Sequence, residues 1–378
     1  MTYLDNAATT KVCEEAAEAA VKAMRETYGN PSSLHRMGLD AELLVTDARK
    51  AVAQALSAAP EQITFTSGAT ESNNTLILGA ARAYGRRKKT IVASSVEHPS
   101  VEETLRVLEN DGFTVKRVKP RADGRVDTVD YLYAVDSDTF LATCMYVNNE
   151  TGAVNPVADI FEAVKHKQPD CITHTDAVQA FLKLPVKVAA MNADLVTVSG
   201  HKVHAPKGIG AMYIKKGIRI PALITGGGQE KGLRSGTESV PLISAFGAAV
   251  NAQLKNIDTA YKNARMLNDR LRTLLAPLDF ITINSDKDAC IPYILNFSVQ
   301  GIRSEIMLHF LESKKVYVSS GSACSKGKHS RVLSEMGISD KLADSAIRVS
   351  FSKMSAWGEL DQLTGALREG YMTLEKTK

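Results

Sequence analysis

Ala193-Asp194-Leu195-Val196-Thr197-Val198-Ser199-Gly200-His201-Lys202 reads as a buried strand closing on a serine, a glycine, a histidine and a lysine. A short β-branched run with polar residues at its end suits a strand covered on both faces. A lysine just past the carboxyl end of such a strand is placed to form an imine with a carbonyl compound. Standing alone, Lys202 would read as a surface lysine after a strand. An aspartate closing an earlier strand and a cysteine on a late loop outweigh that reading.

Outward from this stretch, further apolar runs repeat the pattern. Ile63–Thr66, Thr90–Ala93, Thr114–Val118, Leu141–Tyr146 and Ile172–Thr175 precede it, and Gly210–Ile214 follows. Segments with helical periodicity, such as Ser100–Asn110 and Val157–His166, lie between them. Strand and helix alternating over this distance predict an α/β fold: a mostly parallel sheet covered by helices on both faces. Ligands of such sheets sit at the carboxyl ends of the strands. One long connecting helix is expected over Pro241–Leu275. Beyond it, strands at Ala289–Val299 and Val316–Val318 and a helix near Gln362–Glu375 suggest a smaller unit.

The 378 residues suggest roughly two domains. A net charge of +4 gives no support for nucleic-acid binding, and Arg86-Arg87-Lys88-Lys89 reads as a solvated helix end. Five widely spaced cysteines with no CxxC pair argue against a disulfide framework and a structural zinc site. The opening Met1-Thr2-Tyr3-Leu4-Asp5 carries no basic-then-apolar leader, and no run reaches the roughly 18 apolar residues of a membrane span. A reducing cytoplasm is the expected location.

Several strand ends carry groups that a pyridine aldehyde with a phosphate needs, so pyridoxal 5'-phosphate is the expected cofactor and no metal is called for. Asp176, in His174-Thr175-Asp176-Ala177-Val178-Gln179, is placed to keep a ring nitrogen protonated. The simpler role for it is a helix cap. Gln179 would share its face if the segment turned helical, and would donate to the phenolic oxygen. Ser67-Gly68-Ala69-Thr70 leaves a strand and enters a helix, where backbone N–H groups hold a phosphate. Ser199 and His201 are placed to add donors. His98, in Glu97-His98-Pro99, suits stacking on the ring, with a capping or core histidine as the plain alternative. Asn149 is otherwise a turn residue. The Gly226-Gly227-Gly228 cluster leading to Arg234-Ser235-Gly236-Thr237 suits close backbone approach, or is a flexible loop.

Ser319-Ser320-Gly321-Ser322-Ala323-Cys324-Ser325-Lys326-Gly327-Lys328-His329 is small and polar. Inert cysteines sit in apolar runs, as Cys144 does. Cys324 instead has cationic residues nearby in sequence, which favours the thiolate and a nucleophilic role.

Taken together, the chain resembles the cysteine desulfurases of the NifS/IscS type, within fold-type I pyridoxal-phosphate enzymes. The likeness runs from Leu4-Asp5-Asn6-Ala7-Ala8-Thr9-Thr10 through Gly29-Asn30-Pro31-Ser32-Ser33, Thr66–Asn74, Glu97-His98 and Val147–Gly152. It continues through Asp176 with Gln179, Ser199–Lys202, Arg234–Thr237, Ser319–Cys324 and Ile347-Arg348-Val349-Ser350. The resemblance implies a large cofactor domain over 14–255, a small α+β domain over 256–378 carrying the cysteine loop, and a segment 1–13 packing on the latter. It implies a homodimer. Lys202 would carry the cofactor and move the proton, His98 would stack, and Asp176 would pair with the ring nitrogen. Gln179 and Asn149 would contact the phenolic oxygen. Ala69, Thr70, Ser199 and His201 would hold the phosphate, with Thr237 reaching it from the neighbouring subunit. Arg348 would bind the substrate carboxylate. The implied reaction converts L-cysteine to L-alanine, leaving a persulfide on Cys324 for an acceptor protein, either an iron–sulfur scaffold or a tRNA-thiolation carrier.

Two features depart from the better-known housekeeping members. The loop after Cys324 is shorter and more basic, and the chain stops soon after Gly370-Tyr371-Met372 without their C-terminal extension. A selenocysteine lyase would share nearly every site residue. An aminotransferase would have no use for Cys324, and a non-catalytic binding subunit would not need both Lys202 and Cys324.

Overall fold

A computed structural model describes residues 1–320 and 330–376; Cys324, Lys326, Lys328 and His329 lie outside the described residues. The strands are β1 (Thr2–Tyr3), β2 (Ile63–Thr66), β3 (Thr90–Ser94), β4 (Thr114–Val118), β5 (Thr139–Thr143) and β6 (Ile172–Asp176). They continue as β7 (Leu195–Ser199), β8 (Gly210–Ile214), β9 (Ile281–Ile283), β10 (Ile294–Val299), β11 (Val316–Tyr317) and β12 (Ala346–Ser350). All seven stretches expected for the main sheet carry a strand. β2, β3, β5, β6, β7 and β8 are buried along their whole length, as a sheet with helices on both faces demands.

These strands form one seven-stranded sheet in the order β2-β8-β7-β6-β5-β3-β4. Pairing is parallel from β7 through β4, whereas β8 runs antiparallel to both β7 and β2. Six strands therefore point one way and only β8 is reversed. The carboxyl ends of β2, β3, β5, β6 and β7 lie along the same edge. Two apolar clusters flank the sheet, one including Phe161, Phe181 and Phe246, the other Leu76, Leu105 and Phe140.

A second sheet has the order β12-β10-β9 and its own cluster around Leu271, Phe297, Val349 and Leu363. The first residues belong with it: β1 pairs in parallel with β11, and Leu4 is fully buried in that cluster.

Two expectations change in detail. The single helix expected over 241–275 is two helices, Val240–Leu254 and Ile257–Leu275. Asn256 breaks it at φ −131°, its side chain donating to the Ala252 carbonyl, a local bond with which Asn competes with the helix. The strand expected from Ala289 starts at Ile294, because Pro292 has no N–H for a ladder. Among the described residues, no helix is long and apolar enough to cross a membrane.

Candidate active site

The edge where the six like-directed strands end collects the candidate residues. Lys202 closes the one-turn segment Gly200–Lys202 directly after β7. Its Nζ donates to the carbonyls of Ala7 at 2.5 Å and Ala8 at 2.6 Å, so the N-terminal segment forms a wall of the site.

Asp176 is the last residue of β6 and is buried. Its Oδ1 accepts from the Val178 N–H at 3.0 Å, an Asx-turn bond and not a helix cap, since turns follow. Its Oδ2 accepts from Asn73 Nδ2 at 2.9 Å. Asn73 is fully buried on the helix Ala69–Tyr84 and also donates to Ser100 Oγ. One oxygen thus shapes the turn, while the other is steered by an amide.

His98 stands at the N-cap of the helix Pro99–Asn110, where its side chain accepts from the Ser100 N–H. Its Nδ1 accepts from the Ser100 N–H at 3.1 Å and contacts Ser100 Oγ at 2.8 Å. Burial lowers its pKa, with Asp176 pulling it up and Lys202 pushing it down. A neutral ring accepting at Nδ1 carries its proton on Nε2. The charges of Asp176 and Lys202 both act on His98, which brings the three to one corner.

Beside His98, Glu97 is fully enclosed. Its Oε1 accepts from Ser94 Oγ and the Met145 N–H, both at 2.6 Å, and its Oε2 has no partner. Burial pushes its carboxyl up to about 8, and Asp176 adds to the rise. Burial thus favours the neutral form of Glu97 near pH 7.

The turn after β2 leads to the helix Ala69–Tyr84, whose N-cap Gly68 has φ 155° and ψ 180° and makes no side-chain cap. Only glycine adopts that conformation readily. A Cβ at Gly68 would meet nothing within 4 Å, so open space lies before the helix N-terminus. Behind the turn packing is tight: a Cβ at Gly210 on β8 would come within 2.8 Å of Gly68 Cα. Ala69 and Thr70 begin the helix, and Ser199 and His201 approach from β7. Burial lowers His201 to about 4, and its Nδ1 meets Thr9 Oγ1 at 3.3 Å. The glycine-rich loop is braced to this turn: Arg49 pairs with Glu230 at 2.7 Å, and Arg234 with Glu71 at 3.0 Å. Thr237 is exposed at its end.

Gln179 is buried, but the chain after Asp176 forms turns and not a helix. Its Nε2 donates to the Ala7 carbonyl at 2.9 Å and its Oε1 accepts from Lys183 Nζ at 3.1 Å. Arg348, on β12, is buried and already engaged. Its Nη2 binds Asp5 at 2.8 Å, its Nη1 donates to the Asn149 carbonyl at 2.8 Å, and Nε has no partner. Asn149 is drawn in by its backbone.

Asn73, Ser100, Glu97 and Lys183 escaped the sequence reading. Asn73 and Ser100 occupy helix positions where polar residues usually face water. Glu97 carried a signal in its place between a strand end and His98.

The donor set suits pyridoxal phosphate. An uncapped helix N-terminus opening onto free space would accept a phosphate, the buried Asp176 would face a ring nitrogen, and the His98 imidazole would offer a face to the ring. The fold and this corner define a fold-type I pyridoxal-phosphate enzyme. The family model of the class-V aminotransferases matches residues 2–363. A cysteine desulfurase of Trichormus azollae is 39% identical over 370 residues, covering 97% of this chain and 92% of its own. A solved NifS-like protein superimposes with a TM-score of 0.94 at 37% identity, covering 99% of this chain and all of its own. SspA, solved in complex with cysteine, gives a TM-score of 0.83 at 33% identity over 94% of this chain and 100% of its own. The chain belongs to the class-V aminotransferase family, in its cysteine desulfurase group.

Proposed function

We propose that this protein is a cysteine desulfurase, which moves the sulfur of L-cysteine onto Cys324 and releases L-alanine. The observation that carries the reading is the convergence of Lys202, Asp176 with Asn73, and His98 at one sheet edge. The family match and the relative solved with cysteine support the substrate. When bound, pyridoxal phosphate supplies an electron sink for charge developing at the substrate's Cα.

The chain's own residues do the rest. Asp176, held by Asn73, keeps its carboxylate toward the ring nitrogen, while His98 covers the ring. Ala69, Thr70, Ser199 and His201 hold the phosphate, and Thr237 joins them from a second copy. Gln179 and Asn149 face the ring oxygen. Lys202 Nζ takes the Cα proton and returns a proton to the carbon that loses sulfur. Arg348 turns its guanidinium from Asp5 to the substrate carboxylate. The Cys324 thiolate attacks the substrate sulfur, the C–S bond breaks, and an S–S bond forms. Cysteine and the Cys324 thiol give alanine and the Cys324 persulfide, with all atoms accounted for. The persulfide sulfur then passes to an acceptor protein of iron–sulfur cluster assembly or tRNA thiolation.

The wider setting belongs to the same reading. Separate apolar clusters around the two sheets support a large domain over 14–255 and a small one over 256–378; of the segment 1–13, Leu4 packs in the small cluster, whereas Ala7 and Cys13 pack in the large one. Exposed Met24, Tyr28, Leu34, Met37 and Leu43, on two successive helices and the connection between them, support a homodimer, with a solution mass near twice 40.8 kDa. Four free, buried cysteines support a cytoplasmic location.

The test supplies L-cysteine to the cofactor-loaded protein and quantifies alanine, with sulfide measured under a thiol reductant. Equal alanine and sulfide are expected. C324A is expected to lose sulfide production to background while keeping its visible cofactor absorption. Unchanged turnover in C324A rejects the reading.

A further inference from the structure

Lys183 has no part in the reaction as described, yet its ammonium lies inside the site. It sits on a turn where Leu182 takes a left-handed φ of 58°, and it lines a cavity with Lys202, Thr10, His204, Tyr293 and Lys353. Its Nζ donates to Gln179 Oε1 at 3.1 Å and lies 5.8 Å from the Tyr293 ring centroid.

The chemistry of that bond is one-sided. Below about pH 7 Lys183 is an ammonium, with donors and no acceptor, so it meets Gln179 only through Oε1. The amide NH₂ is thereby turned the other way, where Nε2 donates to the Ala7 carbonyl at 2.9 Å. Lys202 Nζ donates to the same carbonyl at 2.5 Å. A continuous chain of hydrogen bonds runs from Lys183 through Gln179 and Ala7 to Lys202. The remaining Nε2 hydrogen is held as a donor, and a charged group on Oε1 makes that donor stronger.

We infer that Lys183 is a positioning residue that locks the Gln179 amide with its NH₂ toward the ring oxygen of bound pyridoxal phosphate, and so sets the pH at which the cofactor site titrates. The inference rests on the roles proposed above for Gln179 and Lys202. Lys202 and Arg348 face Lys183 with like charge, and burial together with these charges presses it down to about 7. His201 and His204, each lowered to about 4, stand nearby as neutral groups, with Lys353 across the cavity.

A double-mutant cycle over K183M and Q179A tests this, read by the pH midpoint at which the bound cofactor's visible absorption changes. A donor to the ring oxygen stabilises its negative charge and keeps the midpoint low. K183M is expected to raise it by about half a pH unit or more, and Q179A to raise it likewise. In the Q179A background, K183M is expected to shift it by less than about 0.2 unit, since the two act through one bond. The same shift in both backgrounds would mean direct repulsion between Lys183 and Lys202, and overturns the inference. No shift in either background overturns it as well, whatever happens to thermal stability. If K183M does not accumulate as folded protein, K183A against K183A/Q179A decides on the same terms. A wild-type protein with no visible band at all would instead reject the cofactor reading beneath it.

Discussion

Asp176 divides its two oxygens between a backbone N–H and the Asn73 amide, and the division explains why a buried carboxylate is tolerated there. Each oxygen has one donor, so part of the desolvation cost is offset by hydrogen bonds. D176N places an NH₂ where those donors point and removes the charge a pyridinium needs. Alanine formation should fall by about a hundredfold or more, the scale of losing one electrostatic partner of developing charge. Steady-state kinetics on D176N measure this; a loss of less than about threefold would remove Asp176 from the machinery. The strand-end residues Lys202, Asp176 and His98 were legible because an apolar run marks where each strand stops. Asn73, at 0% exposure on a helix, was not. Its burial comes from the packing of that helix over β6 and β7, which no local pattern encodes.

At the scale of elements, the turn between β2 and the helix Ala69–Tyr84 depends on a contact between two glycines. The Cβ of an alanine at position 210 would stand 2.9 Å from the Val198 carbonyl and 2.8 Å from Gly68 Cα, both backbone atoms that cannot rotate away. G210A should push the turn forward, loosening cofactor binding about tenfold and costing about 1–3 kcal/mol of stability. Cofactor titration and thermal unfolding check both, and wild-type values would show the turn to be softer than its packing implies. The strand–glycine–helix order was readable in sequence. Its antiparallel partner β8 was expected as a strand, but its reversed direction follows from the sheet order and not from its own composition. The expected helix over 241–275 failed at Asn256, whose extended φ and side-chain bond to the Ala252 carbonyl stop it although the apolar repeat continues across the break.

For the whole molecule, the buried imidazoles set the response to acid. Burial holds His174 at about 3 and His201 and His204 at about 4, below the roughly 6.5 of an unfolded chain. Between those values the unfolded state binds protons that the folded state refuses. This stability is present above pH ~6.5 and is lost as pH falls toward about 4. Glu97 works the other way: raised to about 8, it contributes stability that fades as pH rises through that value. Four lowered histidines, His98 included, outweigh the two raised glutamates, Glu97 and Glu150, between pH ~4.5 and ~6.5, each net proton carrying at most about 1.4 kcal/mol per pH unit. Tm should therefore be lower at pH 5 than at pH 7, and H174N should narrow the gap; an equal or higher Tm at pH 5 contradicts this balance. The α/β class and the two-part layout were legible from alternation and from the gap after the main strands. The docking of the first residues on the small unit was expected only through the resemblance; the contacts of residues 2–8 with β11, Arg348 and Lys202 join parts of the chain hundreds of residues apart, which no local pattern encodes.

That docking sets a timetable. β1 needs β11, Asp5 needs Arg348, and the Ala7 and Ala8 carbonyls reach Lys202 from a segment anchored by those contacts. A nascent chain that has emerged only as far as β8 holds the lysine and the aspartate, while its first residues still lack their berth. The pocket gains its last wall once β12 has left the ribosome, so cofactor capture belongs to the closing stage of biosynthesis.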